Sequence, residues 1–229
     1  MDFQTKKEFL DFLSGYITEN RRQLFEKIIQ YRTRHITVVL EDIYQPHNAS
    51  AVLRSADLTG IQDVHIIENR NRYQVNPEVA MGSSKWLNLI KYNESEENTV
   101  AAYEALRGAG YRIVATTPHT NDQTLDEIPI DGKMALVFGT ELKGLSDTAI
   151  AHADEYLRIP MYGFTESYNI SVSAALTLFT LTEKLRMSDI PWQLSKEERL
   201  DTLIEWVKQT IKHAELFEKE FLQKRKTGR

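Results

Sequence analysis

In IPMYGFTESYNISVSAAL, residues 159–176, a short extended run ends near Pro160 and Gly163. Thr165, Glu166, Ser167, Tyr168, Asn169, Ser171 and Ser173 then crowd the start of an otherwise apolar helix. Hydroxyls and amides there can cap free N–H groups, and donors left over would suit a carboxylate or another electron-rich ligand group. EDIYQPHNASAVLRSAD, residues 41–57, offers Asn48 as a helix N-cap. It sets Ala49, Val52, Leu53 and Ala56 on a buried stripe and leaves Ser50, Arg54 and Asp57 on a polar face. VFGTELKGLSD, residues 137–147, runs from an apolar strand into Gly139, Glu141, Lys143 and Gly144, with Ser146 placed to cap the next helix. Each stretch also has a purely structural reading, as a cap, an exposed Arg54–Asp57 pair or a turn.

The residues that are missing narrow the chemistry. The chain has no Cys, which removes thiolate nucleophiles, disulfides and iron–sulfur or thiolate-zinc sites. Its six His show no metal-binding spacing, so no metal is expected. Gly108 and Gly110 follow a helix and precede a strand, which reads as a C-cap, and no phosphate-binding glycine motif occurs.

The elements that must position these groups follow from hydrophobic pattern. Short apolar runs at 36–41, 63–68, 87–92, 111–117, 134–139 and 155–160 alternate with helical patterns at 49–58, 99–107, 146–153 and 169–187. That order predicts an α/β fold, a mostly parallel sheet flanked by helices, with ligands bound at the C-terminal ends of its strands. The helix over 169–187 is apolar nearly all round, so its start is expected to be enclosed. Three regions result: an N-terminal helical extension over 1–34, the α/β domain over 35–190, and a C-terminal helical extension over 191–229. In the last, Leu200, Leu203, Ile204, Val207, Ile211, Ala214 and Phe217 form one helical stripe that needs a partner.

Net charge is −5, but residues 93–155 hold twelve acids and four bases, leaving the rest of the chain positive. Arg21, Arg22, Arg32, Arg34, Arg70, Arg72, Lys85 and Lys91 and a basic C-terminus could serve an anionic partner, or simply form a solvated surface. No apolar run reaches the length of a membrane span, and the N-terminus lacks the pattern of a secretory signal, so a cytoplasmic protein is expected.

Taken in order, Asn48 to Arg54, Phe138-Gly139-Thr140-Glu141 with Gly144, and Ile159-Pro160-Met161 through Ser167-x-Asn169-x-Ser171-x-Ser173 resemble the three motifs of the TrmH/SpoU branch of the SPOUT RNA 2′-O-methyltransferases. The likeness spans about residues 35–187. It implies a SPOUT fold with a C-terminal trefoil knot, a homodimer, and S-adenosyl-L-methionine as cofactor. Carried over by position, the catalytic arginine is Arg54, accompanied by Asn48, Glu141, Ser167 and Asn169. The cofactor pocket falls at Thr116, Gly139, Thr140, Ile159, Met161 and Tyr168, with Thr140 standing where some relatives carry glutamine. Only about 35 residues precede the first strand, and helical extensions flank the core. Within the family this points to tRNA, at guanosine 18 of the D-loop. Ribosomal RNA and a non-catalytic RNA-binding or assembly role are the rival readings.

Overall fold

The computed structural model describes residues 1–118, 123–140 and 143–227. They form two compact units, one made of 33–192 and the other of 1–32 together with 193–229.

The larger unit is built on a seven-stranded sheet: β1 (Ile36–Glu41), β2 (Asp63–Ile67), β3 (Asn88–Tyr92), β4 (Arg112–Thr116), β5 (Gln123–Thr124), β6 (Met134–Phe138) and β7 (Glu155–Arg158). Their spatial order is β3-β2-β1-β6-β4-β7-β5, and every pairing is parallel. The central strands β1 and β6 are buried along their whole length because apolar side chains leave both faces of the pleat. Val38, Leu40, Leu136 and Phe138 point into a core with α3 (Pro46–Leu58) and α7 (Ile170–Arg186). Val39, Ala135 and Val137 point into the opposite core with α5 (Thr99–Gly108) and α6 (Asp147–Ala151). A four-residue α4 (Pro77–Ala80) follows β2.

Helix boundaries obey local chemistry. Pro46 occupies the first turn of α3, where its fixed φ and missing N–H cost nothing, so Gln45 is the N-cap and Asn48 lies inside the first turn rather than capping it. The expected stripe of Ala49, Val52, Leu53 and Ala56 is buried, but Ser50 is buried with it, its hydroxyl donating to Pro46 O at 2.6 Å. Ser146 caps α6 as expected, accepting from Ala149 N. Gly110 has φ 85° beyond the end of α5, the left-handed turn that glycine favours. Asn169 caps α7. That helix is not enclosed on all sides: Val172, Leu176 and Phe179 are exposed along one face.

In the smaller unit the two ends of the chain pack on each other. It comprises α1 (Phe3–Ser14), α2 (Glu19–Ile28), α8 (Lys196–Lys208) and α9 (Ala214–Thr227). Aromatic rings join them, with Phe9 against Phe221 at 5.0 Å, Tyr16 against Phe217 at 4.3 Å and Phe25 against Trp206 at 5.5 Å. The continuous stripe expected over 200–217 is interrupted between α8 and α9, where His213 adopts φ 58°.

Candidate functional site

Strands β6, β4 and β7 are neighbours, and their C-terminal ends open on a cavity of about 330 Å³, at the lower end of the about 300–1,000 Å³ usual for small-molecule sites. Four segments supply most of its wall, with Ile150 of α6 added. Thr116 and Thr117 come from the end of β4, Gly139, Thr140 and Gly144 from the loop after β6, Ile159 and Met161 from the chain after β7, and Ser167, Tyr168, Ile170 and Ser173 from the approach to α7 and its first turn. The six positions expected to hold a cofactor, Thr116, Gly139, Thr140, Ile159, Met161 and Tyr168, all line this one cavity. Such convergence of distant segments on a strand-end crevice is how open α/β sheets make ligand sites.

The loop after β6 owes its shape to backbone crowding. A Cβ on Gly139 would stand 2.3 Å from Gly144 C and O and 2.4 Å from Leu145 N. Thr140 and Gly144 exchange two backbone hydrogen bonds of 2.9 Å, and Gly144 sits at φ 66°. Space requires glycine at the first position, and the left-handed backbone favours it at the second. Thr116 is fixed as well, its hydroxyl donating to Val137 O at 2.7 Å across the β4–β6 pair.

Lys143 and Glu166 supply one charge of each sign to the lining, and hydroxyls from Thr116, Thr117, Thr140, Ser167, Tyr168 and Ser173 supply the rest of its polarity. The positive end of α7, a 17-residue helix, faces this lining through Ile170 and Ser173. Apolar walls with several hydroxyls, one cation and one anion suit a small, partly polar ligand. Among the described residues, no three His, Asp or Glu side chains gather as a metal site.

The expected catalytic set is only partly gathered. Asn48 and Asn169 meet, Asn169 Nδ2 donating to Asn48 Oδ1 at 3.3 Å, while Asn169 Oδ1 accepts from Ser171 N at 2.9 Å. These two amides couple the first turns of α3 and α7 and do not line the cavity. Ser167 does line it. Arg54 is exposed on α3 and is absent from the lining of its own chain's cavity. Its side chain bonds to no described residue, so the expected alternative of an Arg54–Asp57 pair is not formed. Glu141 lies outside the described residues.

Glu41 was missed as a support of this site. This buried carboxylate at the end of β1 accepts from Thr99 Oγ1 at 2.7 Å, Ser146 Oγ at 2.8 Å and Ser146 N at 2.9 Å, tying the loop after β6 to β1 and α5. Burying it is tolerable only because these donors replace water. The signal was a lone acid closing the apolar strand ITVVLE.

Comparison with known proteins identifies the chain's relatives. The model of the SpoU rRNA Methylase family matches residues 35–179. A tRNA (guanosine(18)-2'-O)-methyltransferase of Borreliella burgdorferi is 42% identical over 206 residues, covering 90% of this chain and 93% of that protein. One from Thermus thermophilus is 32% identical, covering 83% and 97%. The crystal structure of the A. aeolicus TrmH/SpoU tRNA modifying enzyme superposes with a TM-score of 0.74 at 27% identity, over 85% of this chain and 98% of that one. The matched region holds β1, α3, the strand ends and the start of α7, every element that builds the cavity, and this chain belongs to the SpoU rRNA Methylase family.

Proposed function

We propose that this chain is an S-adenosyl-L-methionine-dependent methyltransferase that modifies a ribose 2′-hydroxyl of tRNA, at guanosine 18 of the D-loop. The observation that carries the reading is the convergence of all six expected cofactor positions on one strand-end cavity. Similarity over 83–90% of the chain to enzymes named for that reaction supports the choice of RNA and nucleotide. Action on tRNA in turn makes the cytoplasm its place of work.

When bound, S-adenosylmethionine supplies an electrophilic methyl group, so the protein needs neither metal nor cysteine. Thr116, Gly139, Thr140, Ile159, Met161 and Tyr168 would hold it, with the start of α7 and Lys143 as candidate partners of its carboxylate. The protein's own task is to align the ribose hydroxyl and relieve it of its proton. Arginine stays protonated in nearly all settings, so Arg54 acts as a clamp on the neighbouring phosphate and a polariser of the hydroxyl, whose proton leaves to a phosphate oxygen or water. Asn48 and Asn169 act on the helices that frame the site.

The active form is read as a homodimer. Val172, Leu176 and Phe179, spaced as one helical stripe, are exposed on α7, and Leu58 is 75% exposed at the end of the adjoining α3. An apolar face of this kind is suited to pairing with another surface. A second copy is the occupant favoured here because Arg54 does not line the cavity of its own chain and a partner can bring one. The C-terminal half is read as a trefoil knot. In its favour, β6 inserts between the earlier strands β1 and β4 while β7 lies outside β4.

Incubation with tritium-labelled cofactor and, separately, bulk tRNA and ribosomal RNA tests the reading. Label should enter tRNA and map to the ribose of guanosine 18. Transfer only to ribosomal RNA would establish the rival substrate, and transfer to neither would end the methyltransferase reading. Arg54→Lys should keep cofactor uptake by calorimetry and lose most turnover. Near-normal turnover would remove Arg54 from the chemistry.

A further inference from the structure

The connection after β2, residues 68–76, is far from loose. Asp42, the residue following β1, adopts φ 53° and turns its carboxylate back onto this connection. Its Oδ1 accepts from three successive backbone amides, Asn69 at 2.7 Å, Arg70 at 2.8 Å and Asn71 at 3.3 Å, and Asn71 Nδ2 donates to Asp42 O at 2.8 Å. Further along, Tyr73 N donates to Glu68 Oε1 at 2.9 Å and Asn76 N to Ser50 Oγ on α3 at 2.7 Å. A run of amides like this makes an anion-binding concavity, and here the protein's own carboxylate fills it. The backbone is therefore fixed at several points, and its remaining charged groups are two exposed side chains, Arg70 and Arg72.

Those two stand out among the arginines of residues 33–192. Arg34, Arg107, Arg112 and Arg186 each pair with a carboxylate, and Arg158 is engaged too. Among the described residues, Arg54, Arg70 and Arg72 alone in this unit have side chains with no hydrogen bond or ion pair. The Ser50–Asn76 bond ties the backbone of the connection to the helix that carries Arg54. Unpaired guanidiniums on a held backbone can bind phosphate in two-pronged fashion, with only their side chains left to order.

We propose that Arg70 and Arg72 form an RNA-backbone clamp that grips phosphates beside the nucleotide served by Arg54, with Asp42 as the residue that sets the clamp's shape. The proposal rests on the RNA-methylating reading, but its test does not require turnover. Filter binding of tRNA at a series of salt concentrations, without cofactor, compares the native protein with Arg70→Ala/Arg72→Ala and Arg70→Lys/Arg72→Lys. The alanine pair should weaken binding about tenfold or more and lower the log–log salt slope by about 1.4, two phosphates at roughly 0.7 each on single strands. The lysine pair should keep the slope and recover part of the affinity. In turnover assays the alanine pair should raise KM for tRNA with little change in kcat, and calorimetric cofactor uptake should stay native. Asp42→Ala removes the acceptor of three backbone amides and should raise KM in the same sense, and a native KM would remove Asp42 from the clamp. Native affinity and slope in the alanine pair, or lysines no better than alanines, would overturn the clamp. A reduced slope in a protein that methylates nothing would keep the clamp and refute the methyltransferase reading.

Discussion

At the scale of single residues, the cavity depends on two backbone segments touching where side chains would hold them apart. Gly139→Ala puts a methyl group 2.3 Å from the Gly144 carbonyl, in a loop closed by paired bonds between Thr140 and Gly144. Neither side can yield without breaking those bonds, so the substitution should cost about 1–3 kcal/mol. At about 2–4 °C per kcal/mol for a chain of this size, calorimetry should show melting several degrees lower, together with lost cofactor uptake. Gly132→Ala is the matched control, since its added Cβ meets nothing within 4 Å, and it should melt and bind as the native chain does. Equal behaviour of the two variants would mean that close approach at Gly139 does not shape the pocket. Gly139 was legible in the sequence as a motif residue, but this crowding was not, because its cause is a turn closed by a residue five positions later.

At the scale of elements, α3 and α7 are joined at their first turns by Asn48 and Asn169. Asn169→Ala removes the cap of α7, worth about 1 kcal/mol, and also leaves Asn48 without that donor. A double-mutant cycle with Asn48→Ala should therefore show a coupling of about 0.5 kcal/mol or more in urea unfolding. Strict additivity would mean that the two amides act independently. Strong periodicity made these helices readable from sequence, and the alternation of elements made the parallel sheet readable. Local competition made the start of α3 unreadable, because Pro46 takes the first turn ahead of Asn48. The two-residue β5 is too short to leave a pattern, and the break between α8 and α9 was hidden because the apolar spacing runs on through it. The exposed face of α7 escaped for another reason: its residues are as apolar as the buried ones, and burial within one chain does not account for them.

At the scale of the whole molecule, that face and the position of Arg54 lead to one expectation. If each site combines the cavity of one copy with Arg54 of the other, two different defects should complement each other. Arg54→Ala leaves the cavity intact, and Ser167→Trp fills the cavity while leaving Arg54 intact. Each homodimer should be nearly inactive. A heterodimer, isolated through two different affinity tags, would hold one complete site and should show about half of native activity per dimer, as two-fold symmetry dictates. If Arg54 served its own chain, neither site of the heterodimer would be complete and no activity would return. Light scattering on the native protein supplies the prior condition, a mass of twice 26.5 kDa. A monomer would leave Val172, Leu176 and Phe179 exposed to water without a partner and would remove the basis for a shared site.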